Sequence, residues 1–134
     1  MIKLGRSRFG AAAGAGADAA RVIVRRNGEI KKEEAPQKLH GRKGDILIWI
    51  CENRSGVPIK VSLINFEFRL TKKPVQAVAF DVSDTVSLPA GETKIVKATI
   101  TRQAKFPIEF VKYDVRVTGD RFTVLHDPDL EIKP

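Results

Sequence analysis

Few side chains in this 134-residue sequence could do chemistry, and they are poorly grouped. There is one cysteine, Cys51, and there are two histidines, His40 and His126. Metal sites built from nitrogen and sulfur donors need ligands at short, repeated spacings. His40 and His126 stand far apart, and neither has a spaced partner. Cys51 shares strand parity with Leu47 and Trp49, so it reads as a small buried apolar residue. The densest acidic group is Asp127, Asp129 and Glu131, in HDPDLEI. Alternation places all three on one face of the last segment. They could hold a cation or exchange protons. The expectation is instead the solvated edge of a closing strand, with Asp127-Pro128 as a turn. Ser7, Ser55, Ser62, Ser83 and Ser87 sit in no G-x-S-x-G elbow. Gly10, Gly14 and Gly16 form no dinucleotide or Walker loop. The chain is expected to be no enzyme and to need no cofactor or metal.

Charge is the stronger signal. Residues 1–43 hold 11 Lys/Arg against 4 Asp/Glu, and residues 44–134 hold 13 against 12. The net charge of +8 therefore lies almost wholly in the N-terminal third. Arg6, Arg8, Arg21, Arg25, Arg26, Lys31 and Lys32 are the candidates for an anionic partner, and nucleic acid bound this way would be salt-sensitive. Single-strand readers interleave aromatics with such residues, but Phe9 is the only aromatic among the first 48 positions. An acidic protein, an anionic membrane surface or a merely solubilising tail would suit the same charges.

Residues 10–20, GAAAGAGADAA, have nothing large to bury and too much glycine for a helix. Residues 1–20 are read as a flexible basic arm and 21–134 as one domain. No apolar core of a signal peptide follows the basic start, which leads to a cytoplasmic expectation. No segment approaches the roughly 20 apolar residues of a membrane span.

Turn signals at Asn27-Gly28, Asn53–Gly56, Pro89–Glu92 and Phe106-Pro107 divide the rest into short β-rich runs. Arg21–Arg26 is the first. Asp45–Asn53, DILIWICEN, is so continuously apolar that it reads as a strand buried on both faces. Pro58–Leu70 is a long strand whose apolar phase shifts near Leu63-Ile64, the signature of a bulge. Past that bulge Phe66 and Phe68 could face outward and line a partner surface. These two and the other aromatics, Trp49, Phe80, Phe110, Tyr113 and Phe122, nevertheless read first as packing residues. Val75–Phe80, Asp84–Leu88, Thr93–Thr101, Glu109–Thr118, Arg121–Leu125 and Asp129–Ile132 complete the strands. In Glu109–Thr118 the residues Val111, Tyr113, Val115 and Val117 share one face. Seven to nine short strands and no long amphipathic helix predict an all-β antiparallel sandwich.

Four pieces of the sequence carry a resemblance to the cupredoxins, the plastocyanin- and azurin-type copper proteins. Gly44-Asp45 with Leu47 and Trp49 resembles the family's GD-led strand. Asn53–Pro58 resembles its asparagine turn, Leu88–Glu92 its LPAGE turn, and Tyr113–Val117 its tyrosine-bearing strand. The resemblance spans roughly residues 21–132 and implies an eight-stranded Greek-key sandwich. The ligands of a copper electron carrier do not carry over. Val57-Pro58-Ile59 stands where the first histidine would be, and Val117 where the cysteine would be. His126 follows nine residues later, and the only methionine is Met1. A type 1 copper centre needs imidazoles and a thiolate, so copper electron transfer is the disfavoured alternative. The leading expectation is a metal-free interaction domain that docks on another protein or on itself. Binding of nucleic acid or an anionic surface through the arm is the second.

Overall fold

The computed structural model describes residues 16–31 and 38–134. These residues form ten strands: β1 (Ala17–Val24), β2 (Lys38–Arg42), β3 (Ile46–Asn53), β4 (Ile59–Phe68), β5 (Val78–Phe80), β6 (Thr85–Leu88), β7 (Thr93–Ile100), β8 (Glu109–Thr118), β9 (Thr123–His126) and β10 (Asp129–Lys133). They make two facing sheets. Sheet A runs β1-β3-β7-β5, and sheet B runs β2-β10-β8-β4-β6, with β9 paired to the C-terminal half of β8. The expected β-sandwich is therefore present.

Its pairing is not all antiparallel. β1 runs parallel to β3, and β2 runs parallel to β10. Parallel neighbours need a crossover instead of a hairpin, and the crossover begins at the Asn27-Gly28 turn. Both residues have positive φ, 62° and 80°. From there the chain reaches β2 in the other sheet before returning as β3. The short run at β2, KLHGR, carries too little apolar signal to be read as a strand. β2 forms because it can lie close to the core: a Cβ at Gly41 would sit 2.6 Å from Ile100 Cδ1.

β1 starts at Ala17, four residues before Arg21. Alanine has a weak strand preference, but pairing overrides it. Two carboxylates fix this corner of the sandwich. Asp18 Oδ2 accepts the His40 N–H (2.9 Å). Asp45 accepts the Gly16 N–H through Oδ1 and the Arg42 N–H through Oδ2, each at 2.9 Å. β1 in sheet A and β2 in sheet B are thereby joined. Residues 1–15, the greater part of the expected arm, lie outside the described residues.

The core fills the space between the sheets. Leu47, Trp49 and Cys51 point in from β3, and Val111, Tyr113, Val115 and Val117 from β8, all essentially without exposure. Trp49 Nε1 donates to Tyr113 Oη (3.1 Å), satisfying both buried polar groups. Trp49 also meets the Tyr113 ring edge-on at 5.8 Å and the Phe80 ring at 5.9 Å. In β4 the expected bulge is present as a register shift between Ile64 and Glu67, with Asn65 at φ 58°. The bulge turns Phe66 and Phe68 inward and not outward. The extra residue restores the inner phase, so both rings pack against the core, and Phe66 stacks on Tyr113 at 5.1 Å.

β3 departs from expectation in one further respect. Its burial alternates strictly, with Leu47, Trp49, Cys51 and Asn53 inside. Ile46, Ile48 and Ile50 lie on the outer face of sheet A, Ile46 exposed and Ile48 and Ile50 half-buried among the described residues.

Candidate functional site

The end of the sandwich where the copper ligands were sought is built around Asn53. Its side chain is fully buried, and Nδ2 donates to Val57 O (2.7 Å) and Leu88 O (2.9 Å). Oδ1 accepts from Ser55 N and Ser55 Oγ at 2.9 and 2.6 Å. The asparagine turn thus ties β3 to the starts of β4 and the LPAGE turn. β4 and β8 do bring the two ligand positions into one region, with Val61 opposite Val117. What meets there is apolar: Ile59 and Val117 are buried among other aliphatic groups. Cys51 belongs to the other sheet, and burial pushes its thiol up to about 12. These residues do not fit a copper centre. Among the described residues, no three His, Cys, Asp or Glu side chains are placed to share a metal.

Beside this turn is an open cleft of about 410 Å³, walled by Pro58, Ile59, Leu88 and Pro89 with Lys60 and Asp120 at its edge. Its chemistry is that of a seat for an apolar group. Ser87, Thr118, Lys60 and Asp120 are its polar lining, and no histidine or cysteine is among its wall residues.

His40 and His126 lie apart. His40 Nδ1 is 3.4 Å from Glu131 on the outer face of sheet B. His126 Nε2 is buried without a hydrogen-bond partner. The adjoining void of about 10 Å³, walled by Trp49, Tyr113 and Pro128, is too small for a ligand. The acidic group in HDPDLEI is not on a free edge, because β10 lies between β8 and β2. Asp129 pairs with Arg69, and Glu131 with Lys38 at 2.8 Å. The Lys38 ammonium holds the Glu131 carboxyl below the usual range.

Arg6, Arg8 and Lys32 lie outside the described residues. Arg21 pairs with Glu52 at 3.5 Å. The Arg54 hydrogen bond, with the nearby charges of Arg54, Arg21 and Arg25, keeps the Glu52 carboxyl low. Arg26 and Lys31 are exposed around the turn after β1.

The surface that sequence reasoning missed is the outer face of sheet A. Ile46, Ile48 and Ile50 form a row along β3. Register places Ala17, Ala19 and Arg21 of β1 on one side of that row and Thr99, Lys97 and Ile95 of β7 on the other. Ile95 is 59% exposed and Ile46 37%. Val82, 94% exposed, stands at the rim of a groove of about 290 Å³ that also takes in Ile95 and Lys97. Arg21, Arg54 and Glu52 on one side and Lys97 and Asp81 on the other border the apolar centre. The signal was present in the sequence as the unbroken run ILIWIC.

No protein-family model matches the chain. No curated protein matches it in sequence either. Several solved structures resemble its fold. One is the CsuC–CsuE chaperone–tip adhesion subunit pre-assembly complex from Acinetobacter baumannii. It matches with a TM-score of 0.59 and 11% identity, over 73% of this chain and 49% of that one. The E. coli chaperone DraB matches with a TM-score of 0.56 and 14% identity, over 73% of this chain and 52% of that one. The chain spans about half the length of these proteins, and at such identity the likeness concerns the fold alone. A multi-copper oxidase from Pseudomonas thermotolerans overlaps 95% of this chain and 32% of its own at 13% identity, with a TM-score of 0.37 that supports no argument. Among the described residues, no helix is long and apolar enough to cross a membrane.

Proposed function

We propose that this chain is a non-enzymatic β-sandwich that docks on protein through the outer face of sheet A. The observation that carries this reading is the isoleucine row of β3, continued by Ile95 and bordered by charges. A solvated sheet face alternates apolar-in with polar-out. Here the alternation fails on one face only. Each aliphatic side chain of this size gains roughly 1.5–3 kcal/mol on full burial, so the row is a standing drive toward association. An apolar centre with a charged rim is the arrangement of protein interfaces.

The fold supports the same reading. The similar solved structures include chaperones, one of them in complex with an adhesion subunit. The copper-ligand positions of the cupredoxin resemblance hold aliphatic side chains, so we read the chain as a cupredoxin-like sandwich that keeps the scaffold for docking.

A photo-crosslinking residue at Ile95, with another at Arg116 on sheet B as comparison, tests this in the cells that make the protein. The expected result is protein adducts from Ile95 and few from Arg116. No adduct from Ile95, or equal adducts from both, would refute the reading.

A further inference from the structure

The end of the sandwich opposite the asparagine turn is where β3 begins and β7 ends. Three loops meet there. The 42–45 turn is bonded to the end of β7, with Gly44 N–H donating to Ile100 O (2.8 Å) and Ile100 N–H to Asp45 O (2.9 Å). The 69–73 turn is bonded to the start of β8, with Arg69 N–H donating to Phe110 O (2.9 Å). The third loop, residues 101–108, joins β7 to β8. Its Arg102 lies over the Phe68 ring at 5.2 Å and holds Glu109 with two 2.8 Å bonds. All three loops therefore project from one set of strand ends.

Two of them carry a large apolar side chain in the open. Leu70 and Phe106 are each 89% exposed. Lys72 and Lys73 follow Leu70, and Lys105 precedes Phe106. Arg42 and Lys43 stand at the 42–45 turn, and Lys133 is the register partner of Arg42. All six cations are exposed. Of the carboxylates at this end, Glu109 and Asp129 are held by Arg102 and Arg69. Asp18, Asp45, Glu67 and the carboxylate of Pro134 are the others, which leaves positive charge in excess. Gly16, to which residues 1–15 are joined, is bonded to Asp45 at this same end. Those residues bring Lys3, Arg6 and Arg8 and no acid.

Apolar tips among cations suit an anionic bilayer. The tips enter the boundary between headgroups and acyl chains, and the cations meet the lipid charges. A reader of nucleic acid needs ring faces for bases to stack on, and Leu70 has none. A protein interface gathers its apolar residues into one packed centre, whereas these two stand on separate loops. The opposite end of the sandwich is the comparison. It carries Arg26, Arg54 and Arg121, but its most exposed large apolar loop residue among those described is Val57, at 38%.

We infer that the end formed by residues 42–45, 69–73 and 101–108 docks on an anionic lipid surface. This is independent of the docking face on sheet A, and either can fail alone.

Co-sedimentation of the full chain with vesicles at physiological salt is the test. Vesicles of phosphatidylcholine alone are compared with vesicles that also contain phosphatidylserine. Leu70→Ser, Phe106→Ser and Lys73→Glu alter the proposed end, and Arg121→Glu alters the opposite one. Strands of eight residues separate the two ends by roughly 26 Å, several times the Debye length of about 8 Å. The expected result is binding to the mixed vesicles only. Each of the three variants at the proposed end should weaken it at least about fivefold, and Arg121→Glu less than about twofold. All four positions are exposed, and thermal unfolding checks that each variant folds. Four results overturn the inference: no binding to mixed vesicles, equal binding to both kinds, binding unchanged by Leu70→Ser and Phe106→Ser, or an equal loss from Arg121→Glu.

Discussion

On the outer face of sheet B, the central strand β8 presents Lys112, Asp114, Arg116 and Thr118. The equivalent positions of β3 on sheet A are Ile46, Ile48, Ile50 and Glu52. The polar face is organised by cross-strand pairs: Lys112 with Asp114 at 3.3 Å, Asn65 with Asp114 at 2.9 Å, Lys38 with Glu131 at 2.8 Å. Phe110 and Leu125 are isolated apolar residues among these charges, which is ordinary for a protein surface. On sheet A the apolar residues are contiguous and the charges sit at the margin. Both sheets close the same core. The difference between their backs is what the docking proposal rests on.

The largest effects separate the inside of β3 from its outside. Leu47→Ala removes a side chain with no exposure and should cost about 2–5 kcal/mol in urea unfolding. Its neighbour Ile48→Ala should cost less than about 1 kcal/mol in dilute solution, because its side chain already meets water. Equal costs would mean that Ile48 is covered by the chain itself, and the comparison of the two faces would fail.

The next effect concerns the joints of the scaffold. Asn53→Ala strips two hydrogen bonds from the buried Val57 and Leu88 carbonyls and should destabilise by about 1–3 kcal/mol. Association at a matched folded fraction should not change, since Asn53 faces the core.

Acid should act through carboxylates held below the usual 4.5. Glu109 is one, lowered by its two 2.8 Å bonds from Arg102. Glu131 is another, lowered by Lys38. Folded pKa values below the unfolded ones give stability that is complete above the ordinary glutamate pKa and lost as pH falls through the folded values. Thermal scans should show stability falling below about pH 4.5, with that fall reduced in Glu109→Gln. A flat profile would remove these pairs from the account.

The smallest signal is chemical. Cys51, with its pKa pushed to about 12, should react with a thiol reagent at pH 8 only after unfolding. Rapid native labelling would mean that the inner face of β3 is open.

Much of this was legible in the sequence, and the misreadings are physical. The strand Glu109–Thr118 and the bulge after Leu63 follow directly from apolar parity. β2 was invisible because a strand held by its backbone and by Gly41 needs little side-chain signal. Ala17–Ala20 looked like part of an arm because the pairing that orders it comes from β3. Phe66 and Phe68 read first as packing residues, and they do pack against the core; the outward alternative arose because a phase shift does not say which side the extra residue restores. The run ILIWIC was read as a strand buried on both faces, whereas its burial alternates and Ile46 is 37% exposed. Sequence could not say that, among the described residues, one of those faces stays partly exposed. The copper positions were legible as an absence of ligands, and the structure shows aliphatic packing in their place.

Hydroxyl-radical footprinting, comparing dilute purified protein with the protein in native extract, tests the central claim most directly. Ile46 and Ile95 should be protected in the extract, with Phe110 and Leu125 oxidised equally in both states. Equal oxidation of Ile95 in the two states, or protection confined to Phe110 and Leu125, would contradict the assignment of sheet A as the docking face.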